Sequence, residues 1–250
     1  EEKVQARTTQ LQQANAEMDR LVYSLSHDFR TPLTNVRGLL THARKTEDPT
    51  TLHLILQHIE TSTNRLDELQ QDMINYAVYW REKLDPQPVQ LQEMVQGIWQ
   101  QFSHAHQGQI DLYFNPTNRN DWHIHTDREK MRVLLYTLLS NAIRYRATNQ
   151  PARIDLSLRT VASGCAITLA DNGIGIEAEQ LGKVTRMFYR ATHKSMGAGM
   201  GLYVAQGIAR QLGGDLQLSS QVGQGTQVTI HIPLSRQETT PGAEAASMIS

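Results

Sequence analysis

Apolar residues recur every seven positions between residues 4 and 80, in two separate series. The members are Val4, Leu11, Met18 and Leu25 in the first series, and Leu52, Ile59, Leu66, Met73 and Trp80 in the second. A seven-residue spacing places all members of a series on one side of a helix. Residues 46–50 read Thr-Glu-Asp-Pro-Thr, which is typical of a turn. The pattern therefore predicts an antiparallel helical hairpin.

Each predicted helix is apolar along one stripe only, so a single hairpin has too little apolar surface to form a core. Pairing two hairpins into a four-helix bundle buries both stripes, and we therefore predict a homodimer. We divide this region into a coiled-coil signalling helix over residues 1–20 and the hairpin proper over residues 21–83.

The periodicity changes at residues 84–88, Leu-Asp-Pro-Gln-Pro, which we interpret as a linker because proline cannot continue a helix. Helices are then predicted over residues 91–106, 127–146 and 202–212, and strands over residues 110–114, 122–125, 154–158, 166–169, 215–219 and 226–232. This order predicts an α/β sandwich over residues 84–235, with helices covering one mixed sheet, so the fold class is α + α/β. The polar residues 236–250 predict a disordered tail.

Composition narrows the possible partners. Lys and Arg number 24 against 25 Asp and Glu, a net charge of −1, so bulk attraction to nucleic acid or to a membrane surface is not expected. Cys165 is the one cysteine and fits a reducing compartment. No run approaches the roughly 20 apolar residues that span a bilayer. Because the chain opens on Glu1 without Met or signal peptide, we interpret it as a cytoplasmic fragment, with any membrane anchor lying upstream.

The segment over residues 26–33, Ser-His-Asp-Phe-Arg-Thr-Pro-Leu, carries reactive groups on the first predicted helix. His27 follows Leu25 by two positions, so it lies about 200° around the helix from the apolar stripe and is predicted to face solvent. A neutral imidazole there can attack a γ-phosphorus, and Asp28 can hydrogen-bond one ring nitrogen. Thr31 lies one turn further on the same face, where its hydroxyl can orient a water.

This run of residues on a helical hairpin resembles the H box of the sensor histidine kinases of two-component systems. The resemblance implies that His27 accepts the phosphoryl group, that Asp28 acts in acid–base chemistry, and that Thr31 supports a phosphatase step. It also implies that residues 21–83 form a dimerisation and histidine-phosphotransfer domain.

Four later segments follow in the order that this family shows. Residues 138–145 resemble its N box, residues 171–176 its G1 box, residues 197–202 its G2 box, and residues 223–226 its G3 box. Phe-Tyr-Arg at residues 188–190 resembles the F box, within a stretch over residues 177–196 that we predict to be a mobile lid. The resemblance implies a Bergerat-type ATP-binding sandwich that takes ATP and Mg²⁺.

The resemblance, together with the chemistry of the side chains, implies which residues hold the metal and the phosphates. Asn141 offers the neutral oxygen that suits Mg²⁺, and the hydroxyl of Thr137 is a second candidate ligand. Arg144 and Arg190 are predicted to bind phosphate oxygens. Glycines before a helix N-terminus provide N–H groups for an anion, and the residues predicted to do so are Gly197, Gly199, Gly201 and Leu202.

The adenine end of the site is predicted from the other boxes. The carboxylate of Asp171 can accept a hydrogen bond from the adenine amino group, and Thr226 helps to hold the adenine edge. Tyr145 is predicted to cover the face of the ring. Gly173 and Gly175 allow the backbone to turn sharply and to approach the ligand.

These features predict that the chain phosphorylates His27 from Mg-ATP and passes the phosphoryl group to an aspartate of a response-regulator receiver domain. Three departures from the family pattern leave alternatives open: Thr137 replaces a common Asn, Arg144 replaces a common Lys, and residues 185–187 lack the usual aromatic-acidic start of the F box. One alternative is a phosphatase-dominant regulator of the same partner. The other is a non-catalytic, ATP-binding dimeric signalling scaffold.

Overall fold

The first half of the chain folds as a long helical hairpin. The structure, a computed structural model, describes residues 2–81, 83–103, 110–116, 122–161, 164–191 and 199–233. Helices α1 (Glu2–Ala43) and α2 (Pro49–Trp80) pack along each other, as the seven-residue spacing of apolar positions predicted. Asp48 caps α2 by accepting the N–H groups of Thr50 and Thr51. None of the helices in these ranges is both long enough and apolar enough to cross a bilayer.

A mixed five-stranded sheet organises the second half of the chain. The remaining elements are β1 (Pro86–Gln90), α3 (Leu91–Ser103), β2 (Ile110–Pro116), β3 (His123–Asp127), α4 (Arg128–Arg144), β4 (Ala152–Val161), β5 (Gly164–Asp171), α5 (Ala178–Leu181), α6 (Gly201–Gln211), β6 (Asp215–Gln221) and β7 (Gly225–Ile232). The sheet order is β2-β4-β5-β7-β6, in which only the pair β2-β4 is parallel. The predicted combination of a hairpin with a mixed sheet and covering helices is confirmed.

Helices α4 and α6 cover one face of this sheet. Along β4, Ile154, Leu156 and Leu158 are buried and alternate with more exposed polar residues, as expected for a strand with one covered face. The helices that pack on it contribute apolar side chains to the same core, among them Leu134, Leu138, Val204 and Ile208. This packing leaves the end of α4 and the start of α6 close to the end of β5, where the nucleotide-binding residues were predicted.

The predicted linker at residues 84–88 is wrong, because residues 86–90 form strand β1. It pairs antiparallel with β3 in a separate two-stranded sheet, with Pro86 opposite Asp127 and Pro88 opposite His125. A strand directs alternate N–H groups to opposite sides, so two prolines spaced by two positions leave one side free to pair. The helix predicted over residues 91–106 is present from Leu91 to Ser103, and residues 104–109 and the predicted tail over 236–250 lie outside the described residues.

A buried lysine joins the end of α2 to the sandwich. Lys130, on the first turn of α4, is fully buried and donates from Nζ to the carbonyl oxygens of Val78, Tyr79 and Arg81 at 3.2, 3.1 and 2.6 Å. It also donates to the side-chain oxygen of Gln211 at the end of α6. A cation is favourable here because the last carbonyls of a helix lack partners and carry partial negative charge.

Asp127 completes this junction. It caps α4 by accepting the N–H of Lys130 at 3.0 Å, and both of its oxygens bind Arg81. Burial raises the pKa of Asp127, but the N–H groups of Lys130 and Asp85 and the Arg81 charge outweigh burial, so the pKa lies below its ordinary value of 3.8. The stability that this ionised carboxylate contributes is fully present above pH 3.8, and it is lost as the pH falls through the lowered pKa.

Replacing Lys130 by Met is expected to destabilise the fold by about 2–4 kcal/mol, because it removes the cationic donor that the carbonyls of Val78, Tyr79 and Arg81 share. Met has a similar length, so the change tests the charge and hydrogen bonds rather than packing. Urea unfolding followed by circular dichroism measures the effect. The control is Lys183→Met, since Lys183 is exposed and should change stability little. A loss for Lys130→Met no larger than that of the control would contradict the assigned role.

Candidate phosphoacceptor and nucleotide site

His27 lies on the solvent-facing side of α1, as its position predicted. Leu25 is 6% exposed and joins the core, whereas the His27 side chain is 71% exposed. The His27 Nδ1 atom lies 3.5 Å from Oδ1 of Asp28, so Nε2 is the ring nitrogen directed away from that carboxylate. Thr31, one turn on, donates its hydroxyl to the His27 carbonyl at 3.5 Å. His27 and Thr31 thus share one exposed face of the helix, and Asp28 lies beside His27 in a more buried position.

A cavity of about 300 Å³ lies between the covering helices and the ends of β5, β6 and β7. Of the residues predicted to bind nucleotide, those that line it are Asn141, Arg144, Tyr145, Asp171, Gly175, Arg190, Gly199, Gly201, Leu202 and Thr226. Gly173 does not line the cavity, but its N–H donates a hydrogen bond to Asp171, which does line it. Thr137 is also absent from the wall, and Gly197 lies outside the described residues.

Asp171, at the end of β5, is a partly buried carboxylate on the cavity wall. Its Oδ1 atom accepts the N–H of Gly173 at 2.8 Å and that of Thr226 at 3.2 Å. Burial raises the pKa of the Asp171 carboxyl, and the two N–H donors oppose this shift by favouring the ionised form. The backbone donors therefore hold the carboxyl in place, and its Oδ2 atom makes neither of these two bonds.

Two glycines allow the loop after Asp171 to pack closely. Gly175 has φ +71°, a left-handed conformation that side chains with a Cβ rarely adopt, and a Cβ there would collide with the Gln221 carbonyl. At Gly173 a Cβ would collide with the carbonyl of Tyr145, which accepts a hydrogen bond from Ile174 at 3.0 Å. The loop is thus fastened to the end of α4, which brings Tyr145 to the cavity wall.

One part of the cavity wall is apolar. The side chains that form this wall are Leu138, Ala142, Leu169, Ile174, Ile176, Val184, Leu218, Val222 and Val228. An apolar slot with one fixed carboxylate at its end suits a flat, weakly polar ring that carries a hydrogen-bond donor. The sequence patterns assigned most of these residues to the core, because periodicity does not distinguish a core wall from a cavity wall.

At the other end of the cavity, α6 begins against α4. A Cβ on Gly201 would lie 3.2 Å from the methyl carbon of Thr137 and 3.9 Å from Oδ1 of Asn141, so only glycine fits without displacing its neighbours. Met200, the N-cap residue of α6, makes no side-chain hydrogen bond to the first turn, so among the described residues the first N–H groups of the helix are not capped from that position and can bind an anion.

The residues at this end fit a magnesium–phosphate group in part. Asn141 brings an amide oxygen to the cavity wall, which is the ligand type that Mg²⁺ prefers. The Thr137 hydroxyl is buried and has no hydrogen-bond partner among the described residues. Because Thr137 does not reach the wall, Asn141 is the stronger candidate ligand.

The segment predicted to be a lid is described up to residue 191. It contains the short helix α5 and then Phe188, whose φ of +63° is unusual for a residue with a Cβ. Tyr189 and Arg190 follow and line the cavity. Residues 192–198 lie outside the described residues, so closure of the lid stays a prediction.

Two family models match the two halves of this arrangement. Residues 17–77 match the His Kinase A (phospho-acceptor) domain, and residues 126–236 match the histidine kinase-, DNA gyrase B- and HSP90-like ATPase domain. The first match contains the exposed His27, and the second contains every cavity-lining residue except Asp72. The chain belongs to the two-component sensor histidine kinases.

Curated relatives of this histidine kinase are similar along most of the chain. It is 28% identical over 235 residues to the methanogenesis regulatory histidine kinase FilI of Methanothrix harundinacea, a match that covers 92% of this chain and 26% of FilI. It is 28% identical over 235 residues to the aerobic respiration control sensor protein ArcB of Escherichia coli, a match that covers 89% of this chain and 30% of ArcB. The chain thus spans less than a third of the length of these two relatives.

Solved structures show the same fold. The histidine kinase ThkA, in complex with the response regulator protein TrrA, superposes with a TM-score of 0.70 at 21% identity, over 90% of this chain and 64% of ThkA. Full-length ShkA in complex with AMPPNP superposes with a TM-score of 0.58 at 20% identity, over 86% and 46%. At these identities the likeness concerns the fold alone.

Both predicted phosphate-binding arginines of this histidine kinase contact the hairpin. Arg144 Nη2 lies 3.4 Å from Oε2 of Glu68 on α2, and Arg190 Nη2 lies 3.2 Å from Oδ1 of Asp28 on α1. The sequence assigned these side chains to phosphate and did not identify their carboxylate partners. It also missed Asp72, which lines the cavity one turn beyond Glu68. The one available signal was their spacing of four, which places Glu68 and Asp72 on the same face of α2.

Proposed function

We propose that this chain is a protein-histidine kinase that phosphorylates its own His27 from Mg-ATP in the cytoplasm. The observation that carries the proposal is the contact between Arg190, on the cavity wall, and Asp28, the neighbour of His27. This contact joins a residue of the cavity wall to the direct neighbour of an exposed imidazole. Membership of the sensor histidine kinases supports the same reaction.

The cavity residues bind ATP in a defined orientation. Asp171 accepts a hydrogen bond from the adenine amino group, the apolar slot and Tyr145 hold the ring, and Thr226 fixes the carboxylate through its N–H. The first N–H groups of α6 bind the phosphates. Asn141 is the residue that would hold Mg²⁺, with Thr137 as a second candidate; when bound, this ion offsets the charge on the phosphates.

His27 acts as the nucleophile through Nε2. A bond forms between Nε2 and the γ-phosphorus as the bond from that phosphorus to the β–γ bridging oxygen breaks, and ADP leaves with the electron pair. Asp28 accepts the Nδ1–H of the ring and takes the proton that the charged ring must lose. The separation of 3.5 Å between Nδ1 and the Asp28 oxygen lies at the outer limit of a hydrogen bond and shortens as the ring becomes positive.

The phosphoryl group then passes to an aspartate of a response-regulator receiver domain, and the working protein is a homodimer. Exposed apolar side chains on both hairpin helices support dimerisation, among them Val22, Leu33, Leu54, Leu56 and Ile74. A single hairpin leaves these groups in water, whereas a four-helix bundle covers them.

The proposal is tested by incubating the chain with Mg²⁺ and γ-³²P-ATP, removing free nucleotide, and adding a receiver domain. Covalent label on the chain, followed by its movement to the receiver domain, is the expected result. A chain that binds ATP but neither labels nor transfers would be a signalling scaffold. A chain that does not label but removes phosphate from a phosphorylated receiver domain would be the phosphatase-dominant regulator, which Thr31 and the engaged arginines favour as second candidate.

Thr31→Ala is expected to lower the phosphatase rate at least roughly tenfold more than it lowers autophosphorylation, because the hydroxyl serves to orient water rather than to attack ATP. Both rates are measured on the same preparation with a phosphorylated receiver domain. Thr41→Ala is the control, since Thr41 lies on α1 and donates its hydroxyl to a backbone carbonyl in the same way, at 2.9 Å. Equal losses in both reactions for Thr31→Ala would show that the hydroxyl only supports the helix.

A further inference from the structure

Among the described residues that line the cavity, Arg144 and Arg190 are the cationic ones, and the acidic ones are Asp72, Asp171 and Glu177. The wall therefore carries one more negative than positive charge before any group outside it is considered. A nucleoside triphosphate carries about four negative charges, so each guanidinium group on the wall favours binding of its phosphates.

The hairpin places a carboxylate on each of these arginines. Glu68 lies 3.4 Å from Arg144, and Asp28 lies 3.2 Å from Arg190 and accepts from it through both oxygens. The pairs are sheltered in part, because the side chain of Arg144 is 18% exposed and that of Asp28 is 10% exposed. Ion pairs of this kind are screened less by water than surface pairs.

Glu68 is held toward the cavity by its own helix. Arg65, one turn before it on α2, donates from Nη1 to the same Glu68 oxygen at 3.2 Å. One turn after it, Asp72 lines the cavity itself. The face of α2 that meets the sandwich thus presents two carboxylates to the end where the phosphates are proposed to bind.

We infer that the hairpin competes with the nucleotide's phosphates for the two arginines, and that Glu68 is a positioning residue that lowers the affinity for ATP while the hairpin is docked. The inference rests on the proposed function, since it concerns the same nucleotide site. Glu68 acts in two ways: it engages Arg144, and its charge repels the entering phosphates. By linkage, nucleotide binding weakens hairpin docking by the same factor. A signal that moves α2 would therefore change ATP affinity.

The test compares the full chain with its Glu68→Gln and Glu60→Gln variants. Binding of a non-hydrolysable ATP analogue with Mg²⁺ is measured by isothermal titration calorimetry. Glu68→Gln is expected to tighten binding roughly three- to tenfold, because it frees Arg144 and removes one repulsive charge. Glu60 is exposed on the same helix, two turns earlier, and Glu60→Gln should bind like the parent.

A double-mutant cycle separates competition for Arg144 from a general effect of charge. In an Arg144→Gln background, Glu68→Gln should change the affinity by less than about twofold, since the shared partner is gone. Equal affinity of the parent and Glu68→Gln, or weaker binding by the variant, would overturn the inference and leave the proposed function intact. An undiminished gain in the Arg144→Gln background would also overturn it. No binding by any of these proteins would overturn both.

Discussion

Asp171→Asn is expected to weaken binding of the ATP analogue at least roughly 100-fold, because two changes act together. First, the side chain loses its charge in a partly buried position, where a lost hydrogen bond is not replaced by water. The remaining oxygen of Asn is retained by the N–H groups of Gly173 and Thr226, so its NH₂ group faces the ligand. A donor then meets the adenine amino group, which is also a donor. Calorimetric titration of each variant measures the loss.

The same variant is also expected to change the preference between two nucleotides. Inosine triphosphate has a carbonyl oxygen in place of the amino group, so it should lose much less affinity than ATP when Asp171 becomes Asn. Asp215→Asn is the matched control, because Asp215 is exposed at the start of β6 and does not line the cavity. Equal loss for the two nucleotides would show that Asp171 supports the loop rather than reading the base. Unchanged ATP binding would remove Asp171 from the site.

His27→Gln is expected to reduce covalent labelling from γ-³²P-ATP to background while ATP binding stays within about twofold of the parent. The side chain is 71% exposed, so its replacement removes no packing, and Gln has no nitrogen that can attack phosphorus. His53→Gln is the control, since His53 is an exposed histidine on α2. Labelling is measured after gel separation, and binding by calorimetry on the same preparation.

Retention of label by His27→Gln would place the phosphoacceptor elsewhere in the chain. Loss of both label and binding would indicate that the change disturbs the sandwich, which the exposed position of His27 makes unexpected. The His27→Gln variant therefore tests the nucleophile without changing the nucleotide site, whereas the Asp171→Asn variant tests the nucleotide site without changing the nucleophile.

The sequence predicted the helical hairpin well because its signal is long and redundant. Each helix repeats one apolar spacing over many turns, and Asp48 with Pro49 marks the start of α2 by local chemistry. The strands of the sheet were likewise located by alternation, since one face is buried and the other is not. The solvent-facing position of His27 followed from counting positions after Leu25.

Two features could not be obtained in this way. Pro86 and Pro88 indicated a break in α2, but only the pairing with β3 shows that they lie in a strand, and that pairing is a contact between distant segments. The partners of Arg144 and Arg190 come from the hairpin, and motif spacing within the second domain carries no information about them. Thr137 was assigned because it stands where the family commonly has an Asn, four residues before Asn141, whereas the structure buries it away from the cavity wall.

The most direct test of the central claim is the chemical stability of the label that the chain acquires from γ-³²P-ATP and Mg²⁺. A phosphoryl group on the nitrogen of His27 is lost in acid and survives in base, and the proposed reaction predicts a label with this behaviour. A label that survives acid would indicate a phosphate ester and contradict a histidine kinase. The absence of any label on a chain that binds ATP would contradict autophosphorylation.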